Sequence, residues 1–220
     1  MRNELRLKIK AILFDFDGTL IDSMRIIHEV LNNTLKNYGL PLVKAEVLGE
    51  MAGQPLTNII KKISLNIENH VLEKVRQEFY KNYLKTSLIK TKPFPETEKI
   101  LQYLFSKNFK LAVVTSTPKI PVKRELERFN LKKYFEAIIT RDDVQNYKPS
   151  PEMIFKALNI LKVKNSESLI VGDSPMDVQA GKAAGVKTAV VVTGLCSKRR
   201  LEKENPDFIL KNLLELKKIL

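Results

Sequence analysis

Two aspartates placed two residues apart, Asp15 and Asp17, open the segment Asp15-Phe16-Asp17-Gly18-Thr19-Leu20, directly behind the apolar run Lys10-Ala11-Ile12-Leu13-Phe14. In extended chain, residues two apart point the same way, so both carboxylates start on one face. Gly18 lets the backbone turn sharply and approach an anion closely. A calcium-type loop counted from Asp15 would need a glutamate at its twelfth position, which is Ile26 here. A second acidic group is Gly172-Asp173-Ser174-Pro175-Met176-Asp177. Asp177 lies one helical turn beyond Asp173, so both can face one cation near a helix start. An N-cap role for Asp173, with Pro175 in the first turn, fits the same residues. Beside Asp15 and Asp17, the oxygen donors favour Mg²⁺, which takes carboxylates, retained water and a substrate phosphate. A His/Cys zinc set is lacking: the two histidines, His28 and His70, both fall in a helical region and read as surface or packing residues.

Two further groups offer positive charge and donors. Ser116, in Val113-Val114-Thr115-Ser116-Thr117-Pro118, brings a hydroxyl and backbone amides to the start of a helix, a position that binds phosphate. With no histidine near a strand end, a Ser-His-Asp triad is not supported. Lys148, in Lys148-Pro149-Ser150-Pro151-Glu152, opens the helix after the third strand, and the prolines lower the entropy cost of holding it in place.

The elements that must position these groups follow from periodicity. Apolar runs recur at Lys110 to Thr115, Phe135 to Thr140, Leu169 to Gly172 and Thr188 to Val192, each the length of a buried strand and without polar alternation. Helical stretches separate them: Glu96 to Lys107, Pro121 to Phe129 and Pro151 to Leu161. Asp207 to Leu210 reads as a last strand and Leu213 to Leu220 as a closing helix. This alternation predicts an α/β fold, a Rossmann-like parallel sheet with helices on both faces. The carboxyl ends of such strands converge on one crevice, so Asp15, Ser116, Lys148 and Asp173 are expected to share a site. From Asp22 to about Leu88 the pattern is helical with no convincing strand. One stripe runs through Ile26, Ile27, Val30, Leu31 and Leu35, another through Val71, Leu72, Val75, Phe79 and Tyr83, and both read as core packing. Gly39-Leu40-Pro41 ends the first helix, and Pro93 and Pro95 mark the return to the sheet. The expected division is a core of residues 1–20 and 91–220 and an inserted all-helical cap of residues 21–90.

Composition bounds the setting. At 220 residues, 44% apolar and 29% charged, the chain suits a globular core with a small insert. A single cysteine, Cys196, rules out an intramolecular disulfide. The N-terminal segment lacks a signal-peptide apolar run, and no stretch approaches the ~20 apolar residues of a spanning helix. The expectation is a cytoplasmic protein without a membrane partner. The net charge of +13 is spread from Lys8 to Lys218 without an aromatic-and-basic motif, so a solvated surface is the reading and nucleic acid is not the expected partner.

Taken in order, Asp15-Phe16-Asp17-Gly18-Thr19-Leu20, Ser116, Lys148-Pro149-Ser150-Pro151 and Gly172-Asp173-Ser174 with Asp177 resemble the four motifs of the haloacid dehalogenase superfamily across essentially the whole chain. The helical insert resembles the cap of its phosphoglycolate phosphatase and β-phosphoglucomutase-like branch. That resemblance implies a Mg²⁺-dependent phosphatase of a small phosphorylated metabolite, phosphoglycolate phosphatase-like, working through an aspartyl-phosphate, as a monomer or homodimer. Asp15 would be the nucleophile, ionised at neutral pH if it kept the ~3.9 of a free aspartate. Asp17 would be the general acid and base. Gly18, Ser116, Thr117 and Lys148 would hold the phosphate. Mg²⁺ would be bound by Asp15, the Asp17 backbone carbonyl and Asp173, with Asp177 behind metal-bound water or Lys148. Asp17 argues against a dehalogenase, which lacks the second aspartate. A sugar-phosphate mutase carries a histidine at the position of Ile27, and His28 is turned about 100° away on a helix. Inorganic pyrophosphatase, phosphonate hydrolase and a non-catalytic binding or regulatory protein on the same fold are the other readings. Selectivity is expected from the cap around Arg25 and Gly53-Gln54-Pro55.

Overall fold

The computed structural model describes residues 8–220. The part of the expected core that precedes residue 8 lies outside the described residues.

The first element among the described residues is β1 (Ala11–Phe14), whose four residues are all buried. A two-residue strand β2 (Ile21–Asp22) leads into four helices: α1 (Met24–Asn37), α2 (Ala45–Glu50), α3 (Leu56–Ile63) and α4 (Asn69–Lys90). β3 (Lys92–Pro93) returns the chain to the sheet, followed by α5 (Thr97–Ser106), β4 (Lys110–Val114), α6 (Lys119–Arg128), β5 (Ala137–Ile139) and α7 (Glu152–Leu161). β6 (Ser168–Gly172), α8 (Pro175–Ala184), β7 (Lys187–Val191), α9 (Lys198–Glu202), β8 (Phe208–Leu210) and α10 (Leu216–Ile219) complete it.

Six strands form one sheet in the order β5-β4-β1-β6-β7-β8, every neighbouring pair parallel. β1 is central: Phe14 is in register with Val113 of β4 on one side and Val171 of β6 on the other. Strand order therefore reverses at β1, and a crevice opens beyond the carboxyl ends of β1, β4 and β6. Alternate residues face opposite layers. Ile12 and Phe14 pack with Ile100, Leu104, Val122 and Leu126 of α5 and α6; Ala11 and Leu13 pack with Ile154, Leu158 and Ala180 of α7 and α8. Helices thus cover both faces, as the buried, non-alternating strands require.

Helices α1–α4 gather a separate apolar cluster that includes Val30, Leu31, Leu35, Leu72, Val75, Phe79 and Tyr83, the residues of the two stripes. α1 ends in a Schellman motif: Gly39 has φ +63°, its N–H donates to Lys36 O, and Leu40 N–H donates to Leu35 O. No helix among the described residues is long and apolar enough to cross a membrane.

Three elements differ from expectation. β2 and β3 pair antiparallel, Ile21 with Pro93 and Asp22 with Lys92, forming a small ribbon where the helical block joins the sheet. Two-residue strands, one ending in proline, carry no period to read. The third main strand is only Ala137–Ile139, because a 3₁₀ turn at Lys132–Tyr134 precedes it and Thr140 closes a capping box with Asp143. The closing helix is a 3₁₀ turn, Leu213–Glu215, that runs into α10.

Candidate active site

The carboxyl edge of the sheet gathers the groups. Asp15 follows β1, Thr115 and Ser116 follow β4, and Asp173 follows β6. Lys148 comes from the turn between β5 and α7, not from the helix start expected of it; α7 begins at Glu152. Its ammonium donates to Asp15 Oδ1 at 2.6 Å, to Asp177 Oδ1 at 2.6 Å and to the Val114 carbonyl at 3.1 Å. Three protons meet three acceptors, and the lysine is 3% exposed.

One carboxylate oxygen from each of Asp15, Asp173 and Asp177 lies within 4.8 Å of the others, and all three residues are buried. Against them stands one ammonium, so the cluster carries excess negative charge. Burial pushes the Asp15 carboxyl up to about 7; Lys148 opposes the rise and Asp177 adds to it. Asp173 is raised well above the usual carboxylate range, by burial first and then by the charges of Asp15 and Asp177. Asp15 therefore does not keep the value of a free aspartate; a cation at the cluster would reverse the shift. An all-oxygen donor set with unbalanced negative charge fits a hard divalent ion such as Mg²⁺.

The backbone around Asp173 is cut to fit its side chain. Gly18 has φ +81°, and a Cβ there would lie 2.4 Å from Asp173 Oδ2; a Cβ on Gly194 would lie 1.9 Å from the same atom. Thr19 donates to Asp173 Oδ1 at 2.9 Å. Gly18 thus backs Asp173 and is not among the residues that line the cavity. The N-cap of α8 is Ser174, which leaves the Asp173 carboxyl free to face Asp15. Asp177 accepts from the Ser174 N–H and hydroxyl through Oδ2 while Oδ1 holds Lys148. Both its oxygens are occupied, so it acts as a strut between the helix start and the lysine.

Asp17 is gripped by hydroxyls from three separate segments. Ser23 and Tyr83 donate to Oδ1, the latter at 3.2 Å, and Thr117 donates to Oδ2. The Thr117 hydroxyl, expected at the phosphate, is turned to Asp17 in this structure. Ser116 lines the cavity, and its Oγ is buried with no hydrogen-bond partner among the described residues. Such a buried hydroxyl is costly unless something occupies it. Thr115, overlooked in the sequence, is the first residue past β4; it lines the cavity, and its Oγ1 accepts from the Thr117 N–H at 3.1 Å. The helical stripe predicts a packing role for Tyr83. It does stack on Phe79, ring centroids 6.0 Å apart, but its hydroxyl reaches the site.

The helical block supplies the opposite wall, from Met24, Ile27, Leu31, Gln54, Ile59, Phe79 and their neighbours. Gly53 and Gln54 line the cavity as expected, whereas Arg25 is exposed and is not among the lining residues. Ile27 faces the site, and the His28 Nε2 lies 2.7 Å from the Val43 carbonyl. Arg124 donates to Leu84 O at 2.8 Å and Ser87 Oγ at 2.6 Å, tying the end of α4 to α6.

A family model for haloacid dehalogenase-like hydrolases matches residues 12–191. A phosphoglycolate phosphatase from Aquifex aeolicus (strain VF5) is 37% identical over 212 residues, covering 96% of this chain and 97% of that protein. A pyrophosphatase PpaX from Anoxybacillus flavithermus (strain DSM 21510 / WK1) is 35% identical, covering 97% of this chain and 98% of its own length. The crystal structure of a predicted phosphoglycolate phosphatase from Haemophilus somnus 129PT superposes with a TM-score of 0.86 at 23% identity, over 96% of this chain and 98% of that one.

Proposed function

The chain belongs to the haloacid dehalogenase-like hydrolase family, and on that premise we propose that it is a Mg²⁺-dependent phosphoric monoester hydrolase with Asp15 as phosphoryl acceptor. The observation that carries this reading is the convergence of Asp15, Asp173 and Asp177, two of them bound to the Lys148 ammonium, with Asp17 lining the same cavity.

In this reading an Asp15 oxygen attacks phosphorus, and the bond from phosphorus to the leaving oxygen breaks as Asp17 gives that oxygen a proton. Asp17 then takes a proton from water, which attacks the aspartyl-phosphate and releases inorganic phosphate. Ser116, whose hydroxyl has no partner among the described residues, and the amides beside Thr115 would hold the phosphoryl oxygens. Lys148 would offset charge on Asp15 and on the transferred group. Asp15, Asp173 and the Asp17 carbonyl would hold the metal, with Asp177 steadying Lys148. The metal would supply neutralisation of the carboxylate cluster and of the incoming phosphate. Residues 21–90 would be the cap, closing the apolar wall over the site and excluding water from the reacting phosphate.

The PpaX relatives favour pyrophosphate as a second reading, since the same groups would cleave an anhydride. A mutase reading loses support from Ile27 facing the cavity while His28 contacts the Val43 carbonyl. Phosphate release from p-nitrophenyl phosphate with and without Mg²⁺ tests the proposal. Asp15→Asn should abolish turnover by at least ~10³-fold with the fold retained; full activity in that variant removes Asp15 from its role.

A further inference from the structure

The cavity has two unlike walls, and their contrast bears on what leaves when phosphate is transferred. The sheet side is polar and charged. The helical side presents Ile27 and Leu31 of α1, Leu56 and Ile59 of α3 and Phe79 of α4, with Gln54 among them. The two tyrosines on that side have their hydroxyls engaged: Tyr83 donates to Asp17, and Tyr80 accepts from Arg141 at 2.7 Å.

Among the described residues lining the cavity, Lys148 is the one cation, and its three protons are already taken by Asp15, Asp177 and the Val114 carbonyl. Arg141 lies outside the lining, with its guanidinium over the rings of Tyr80 and Tyr147. A leaving group bearing a carboxylate or a second phosphate that lies against the helical wall would set that charge against hydrocarbon, with no cationic side chain among the described lining residues on that wall, which is unfavourable. An uncharged alkyl or aryl group would lose nothing there and would gain burial. The cavity measures about 150 Å³ with the sheet-side site included, so the space left beside the helical wall suits a small leaving group.

We propose that the substrate class is phosphoric monoesters of small uncharged alcohols with an apolar body, in preference to phosphoglycolate and pyrophosphate. The inference rests on the reading of Asp15 as phosphoryl acceptor and adds to it the chemistry of the leaving group. Gln54 is the specificity-determining position, because it is the polar side chain of that wall besides the two tyrosines, whose hydroxyls are engaged by Asp17 and Arg141.

The test compares isobutyl phosphate with 2-phosphoglycolate, which share the phosphate and the adjoining methylene and differ in an isopropyl group against a carboxylate. Pyrophosphate is the third substrate and p-nitrophenyl phosphate the control, all with the full chain and saturating Mg²⁺. The expected kcat/KM for isobutyl phosphate exceeds those for phosphoglycolate and pyrophosphate by about tenfold, the order of one well-placed apolar group, with the difference carried by KM. Gln54→Arg should narrow that ratio by lowering the KM for phosphoglycolate. Equal or better turnover of either anion, with p-nitrophenyl phosphate hydrolysed, overturns this inference and leaves the phosphatase reading standing. No phosphate released from any of the four sinks both.

Discussion

The hydroxyl of Tyr83, on the long helix α4, donates to Oδ1 of Asp17, 3.2 Å away and 66 residues earlier in the chain. A side chain of the helical block thus completes the setting of an aspartate on the sheet edge. Any movement of α4 away from the sheet would break the contact, so the orientation of Asp17 is tied to the position of that helix. Tyr83→Phe keeps the stacking on Phe79 and removes only the donor. A hydrogen bond to a carboxylate is worth about 1.5 kcal/mol, so kcat should fall about tenfold, with a loss of stability no larger than that one bond. A kcat equal to wild type would separate Tyr83 from the chemistry.

Lys148 is the counter-ion for a buried cluster, and its removal leaves Asp15, Asp173 and Asp177 facing one another. Breaking a buried pair by deleting one partner costs about 3–5 kcal/mol. Lys148→Met should be inactive and should melt well below wild type in a chelator, with Mg²⁺ recovering part of the loss by replacing the missing charge. Calorimetry with and without the metal reads this directly. A melting temperature insensitive to Mg²⁺ in both proteins would argue against a cation at the cluster.

Gly194 has no room for a side chain beside Asp173. A methyl there would push the carboxyl aside, since the clash is with a side chain that Thr19 also holds. Gly194→Ala should raise the Mg²⁺ concentration for half-maximal activity by at least ~10-fold, the usual scale for disturbing a ligand's support. Titration of activity against Mg²⁺ measures it, and an unchanged midpoint would place Asp173 outside metal binding.

Glu125, on α6, is fully buried, and neither carboxyl oxygen has a hydrogen-bond partner among the described residues. Burial first, then the charge of Asp17, pushes its carboxyl up to about 7 against the opposing Arg124 guanidinium, 3.7 Å away. An acid raised on folding is held protonated by the native state, so its stabilising share is full below its unfolded value of 4.5 and is lost as pH rises through about 7. Over that window it contributes a slope of up to ~1.4 kcal/mol per pH unit. Glu125→Gln should flatten the fall in stability between pH 4.5 and 7 relative to wild type. Denaturant melts across that range check the sign; parallel curves for the two proteins would refute it.

The residues that converge on the cavity were legible because each is marked locally. Asp15 and Asp173 follow short apolar runs, Asp177 lies one turn into a helix with Pro175 at its start, and Lys148 directly precedes Pro149, with Pro151 two residues further on. Strand identity was legible for a related reason: β1, β4 and β6 are buried on both faces and read as unbroken apolar runs. Even there the boundary slipped by one residue. Thr115 and Ser116 are equally polar, and nothing in the local pattern says which hydroxyl ends the strand.

The partners of those residues were decided by tertiary structure alone. Periodicity tells which face of a helix is apolar, and so places Tyr83 in a packed stripe. It does not tell that the rim of that stripe stands over Asp17. Gly194 carries no mark until the loop after β7 is laid against Asp173, and Glu125 looks like one more charge on a charged helix until α4 closes over it. The physical reason is one of range. Strand runs, caps and turns are set by neighbours a few residues apart and are written in order along the chain. Which hydroxyl meets which carboxylate depends on how whole elements dock, through contacts spanning 66 residues for Tyr83 and Asp17 and 154 for Thr19 and Asp173.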